Sequence, residues 1–71
     1  MGYSLIDTDR RPTIDVHSAS RSDLITTLDV AKFAELCNAR PDTVRIGHSP
    51  ELDEYVFSLP DGRFAQGKSQ E

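Results

Sequence analysis

From Leu24 to Cys37 the apolar positions recur at intervals of three and four: Leu24, Leu28 and Ala31, then Val30, Phe33, Ala34 and Cys37. That is the spacing of one helical face, and it predicts a helix over about residues 22–38, opening at Ser22 with Asp23 in its first turn. Thr26-Thr27 could divide it, with Thr27 or Asp29 capping a second segment from about Val30. Asn38 suits the left-handed position that closes a helix and Pro41 the first turn of the next, so a second helix is expected over about 41–47. The six residues Thr43 to His48 fit a short helix or an alternating strand equally well. Farther on, the β-prone runs E-Y-V-F-S-L and R-F-A-Q flank Pro60-Asp61-Gly62, predicting a C-terminal β-hairpin over about 54–66. A rival reading starts at Ser49, where S-P-E-L-D-E-Y has the form of an N-cap, Pro and an acidic first turn.

Before the helix, Tyr3 to Asp7 and Thr13 to His17 are extended candidates, with Ile14 and Val16 alternating against polar neighbours. The polar break D-T-D-R-R-P lies between them, so residues 1–20 form a hairpin or a loosely ordered arm. Residues 67–71 are polar and read as a flexible tail. The expectation is one small α+β domain over residues 1–71. The favoured arrangement has helices at about 22–38 and 41–47 and the hairpin; the alternative order is ββαβββ, with residues 43–48 as a strand.

Size sharpens this picture. A chain of 71 residues with 37% hydrophobic residues, three Phe, two Tyr and no Trp builds only a thin core, which a second copy in a homodimer could complete. The single cysteine, Cys37, excludes an internal disulfide and fits the apolar helical face as a small buried hydrophobe, which favours a reducing compartment. There is no apolar run long enough to span a bilayer, and the start M-G-Y-S-L-I-D-T-D-R lacks the basic and apolar regions of an export signal. A cytoplasmic protein without membrane contact is expected.

The stretch L-D-V-A-K-F-A-E-L-C-N-A-R-P-D-T-V-R, residues 28–45, resembles the helix-turn-helix of small MerR-like and excisionase-like DNA-binding proteins. The resemblance implies a winged helix-turn-helix. Ala34 would be the small residue at the helix contact, Asn38 would take the turn position, and the second helix would enter the major groove. Arg40, Thr43, Arg45 and His48 would then face double-stranded DNA, with Arg63 on the wing formed by the hairpin. Three departures stand against the pattern: Arg40 replaces the usual capping Ser, Ile46 stands after Arg45, and Gly47 falls where the helix should continue. Charge opposes it too. Twelve acidic residues against eight basic give a net charge of -4, opposite in sign to the usual footprint of a nucleic-acid binder.

Other signals lead nowhere by their own chemistry. Gly62 to Ser69, G-R-F-A-Q-G-K-S, matches the phosphate-loop pattern, but that loop hands its phosphate to the N-terminus of a following helix, and only Gln70 and Glu71 follow. His17, Cys37 and His48 have no metal-ligand spacing, and no nucleophile stands in a catalytic arrangement with them. No enzyme, metal or cofactor is expected. Arg10-Arg11 reads as a solvated turn. The cluster Glu51, Asp53 and Glu54 reads as a solvated loop able to dock on a basic surface.

Two functions therefore stand side by side. One is a DNA-binding transcriptional regulator or excisionase-type accessory factor. The other is an acidic α+β interaction module, an inhibitor or adaptor, that binds a basic protein and not DNA. They part at residues 41–48, where extended backbone paired to residues 55–59 removes the recognition helix.

Overall fold

The computed structural model describes residues 12–24 and 26–70 and the backbone of Ser4–Leu5. Helical periodicity from Leu24 is not carried through as a helix. Ser22–Leu24 forms a single 3-10 turn, Thr27–Leu28 is extended, and the α-helix α1 is only Val30–Leu36. The β-branched pair Thr26-Thr27 disfavours helix, while Leu28 is 1% exposed as a strand residue opposite Ile14. Asp29 starts α1, its carboxylate accepting a hydrogen bond from the Lys32 N–H at 2.8 Å, a standard N-cap.

The second expected helix, 41–47, does not form either. Pro41–Thr43 is a 3-10 turn, and Arg45–Ser49 is a strand. The winged helix-turn-helix is thereby overturned: the described residues form mostly antiparallel sheet with one α-helix. Val44, Ile46 and Gly47 explain the outcome. Two β-branched residues and a glycine are poor helix formers, and alternation buries Ile46 while leaving Arg45 exposed.

The strands in chain order are β1 (Ser4–Leu5), β2 (Ile14–Ala19), β3 (Thr27–Leu28), β4 (Arg45–Ser49), β5 (Glu54–Ser58) and β6 (Phe64–Ser69), arranged spatially as β1-β4-β5-β6-β2-β3. Every neighbouring pair is antiparallel. β4 and β5 form a hairpin whose register joins Arg45 to Ser58 and Ser49 to Glu54. The β5–β6 hairpin turns through Gly62 at φ 99°, in the left-handed region that glycine occupies without strain. β6 continues to Ser69, so Gly67, Lys68 and Ser69, expected in a flexible tail, are sheet residues, and the Gln70 N–H donates to the Thr13 carbonyl at 3.0 Å. The Arg10-Arg11 pair and the Asp7 to Arg11 break lie outside the described residues.

One sheet face carries the core. Ile14, Val16, Ile46, Tyr55, Phe57 and Ala65 pack with Val30, Phe33, Ala34 and Cys37 of α1, and the Phe33 and Phe57 rings meet at 5.9 Å, tilted by 52°. β2 reaches this arrangement through an irregularity between Val16 and Ser18, a β-bulge with His17 at its centre. Gly67 sits opposite Val16, where a Cβ would overlap the Asp15 carbonyl. The second glycine of the phosphate-loop pattern thus serves strand packing.

Candidate functional site

The C-terminus of α1 determines what two of the molecule's arginines do. Asn38 takes φ 54°, its N–H donates to the Glu35 carbonyl at 3.1 Å, and the Ala39 N–H donates to Ala34 at 2.8 Å. This pair of bonds is a Schellman motif. Two carbonyls remain, and both receive guanidinium donors: Arg21 Nη1 to Leu36 at 2.8 Å and Arg63 Nη1 to Cys37 at 2.8 Å. Cations are also favoured at this end of the helix dipole. Each arginine is held in turn by an aspartate two residues away. Arg21 bonds both carboxylate oxygens of Asp23, at 3.1 and 2.7 Å. Asp61 accepts from Arg63 Nε at 2.8 Å and from its backbone N–H at 3.0 Å. The Arg63 side-chain bond holds the Asp61 carboxyl below its ordinary value, and the same bond raises Arg63.

Arg63, expected on a DNA-facing wing, is therefore turned inward to a helix end. The remaining DNA-facing candidates are divided between the 3-10 turn and the two faces of β4. Arg40 is exposed beside the 3-10 turn, with its guanidinium 3.4 Å from Asp42. Thr43 closes that turn, its hydroxyl donating to the Arg40 carbonyl at 2.7 Å. Arg45 and His48 are three positions apart on β4 and so point to opposite faces. His48 stacks on Tyr55 at 4.5 Å on the core face, with Nε2 3.8 Å from the Asp53 carboxylate. The helix expected to present Arg40, Thr43, Arg45 and His48 together does not form.

On the sheet face away from α1, a different group comes together. Glu54 is 8% exposed. It accepts from Gln66 Nε2 at 2.9 Å and lies 2.8 Å from His17 Nε2. The bond to His17 crosses β6, and the β-bulge sets the imidazole over Glu54. The expected acidic cluster is consequently divided: Glu54 is committed to the sheet, while Glu51 and Asp53 remain exposed in the β4–β5 turn. Between them stands Leu52, 57% exposed, the large hydrophobic residue left in solvent among the described residues. Asp53 takes φ 53° and closes the turn into β5.

These features were hidden in the sequence to different degrees. The pattern Arg-x-Asp at 21–23 and its reverse at 61–63 marks local ion pairs, but nothing local shows that both guanidiniums meet one helix end. Leu52 could have been noticed as a lone apolar residue in an acidic turn. His17 and Glu54 are 37 positions apart, and only the strand order unites them.

Among the described residues no group of three or more His, Cys, Asp or Glu side chains is placed to hold a metal ion. No described helix is long and apolar enough to cross a membrane. Comparison with models of protein families, with curated proteins and with solved structures finds no match to this chain.

Proposed function

We propose that this chain is an acidic α+β interaction module, without enzymatic activity, that docks on a basic partner protein through the β4–β5 turn. The observation that carries the proposal is Leu52, exposed at the turn between the exposed carboxylates of Glu51 and Asp53. Burying a leucine side chain in a partner's pocket contributes about 1.5–3 kcal/mol. Carboxylates around it favour a rim of Lys or Arg and speed encounter with one. The turn is presented by a paired hairpin, braced by the His48–Tyr55 stack, so little ordering is needed on binding. Two of the cations, Arg21 and Arg63, are engaged at the end of α1. A reducing cytoplasm suits the free, buried Cys37.

The test is affinity capture from cytoplasmic extract with the wild-type chain and with Leu52→Ser, scored by quantitative mass spectrometry after nuclease treatment. A basic protein retained by the wild type and reduced at least tenfold with Leu52→Ser supports the reading. Identical capture by both chains would overturn it. So would saturable binding of random duplex DNA at low salt that is lost in Arg45→Ala.

A further inference from the structure

We draw no further inference here: the strongest candidate, the His17–Glu54–Gln66 side-chain cluster on the sheet face away from α1, consists of groups bonded to one another, and nothing in the structure shows what ligand or partner covers that face.

Discussion

Asp61 gives the clearest pH-dependent behaviour of a single residue. Its carboxyl is held below its ordinary value of 3.8, first by the side-chain bond from Arg63 and then by the Arg63 backbone N–H. A carboxyl depressed in the folded state stabilises the fold above its unfolded value and loses that contribution as the pH falls through the lowered one. The Asp61 carboxyl observed by NMR should therefore titrate with a midpoint below 3.8, and Arg63→Gln should move it back up. A wild-type midpoint at or above 3.8 contradicts the geometry. Gly67 makes the sharpest steric prediction. Its hydrogen faces the Asp15 carbonyl of the bulged strand, so Gly67→Ala should cost about 3 kcal/mol, the upper end of overpacking effects. Chemical denaturation measures this, and an unchanged unfolding midpoint refutes the close approach.

At the level of elements, α1 has only seven residues, too few for independent stability. Its two ends and its packing hold it. Asp29→Ala removes the N-cap and should cost about 1 kcal/mol, whereas Asn38→Ala removes the short polar side chain that tolerates the left-handed region and should cost a similar amount, about 1 kcal/mol. Both are read from denaturant unfolding, and a loss in neither variant would mean that the ends do not support the helix. The cap chemistry was legible in the sequence because it is local: Asp29 and Asn38 occupy positions their short polar side chains favour. The length of the helix was not. Leu24 and Leu28 fall at helical spacing by coincidence, and each is buried by a different element, Leu24 from a 3-10 turn and Leu28 from β3. Likewise Thr43 to His48 fits two periodicities over six residues. The decision between them is made by β5, which offers backbone partners from Glu54 to Ser58. That information lies outside the segment itself.

Across the whole molecule, a net charge of -4 is compatible with many surfaces; its distribution narrows them. Two arginines complete a helix end, a third sits by Asp42, and the exposed acids Glu51 and Asp53 flank Leu52. Since Leu52 is mostly in solvent, Leu52→Ser should leave the unfolding midpoint nearly unchanged, within about 0.5 kcal/mol. A large destabilisation would instead make Leu52 part of the core. Both the loss of the recognition helix and the placing of Leu52 at a hairpin turn depend on the pairing of β4 with β5. The most direct measurement is the pattern of nuclear Overhauser effects across residues 43–58 in the isotope-labelled protein. Cross-strand contacts joining Ile46 to Phe57 and His48 to Tyr55 are predicted by the register. Sequential amide–amide contacts with helical i to i+3 connectivities through 43–48 would contradict it.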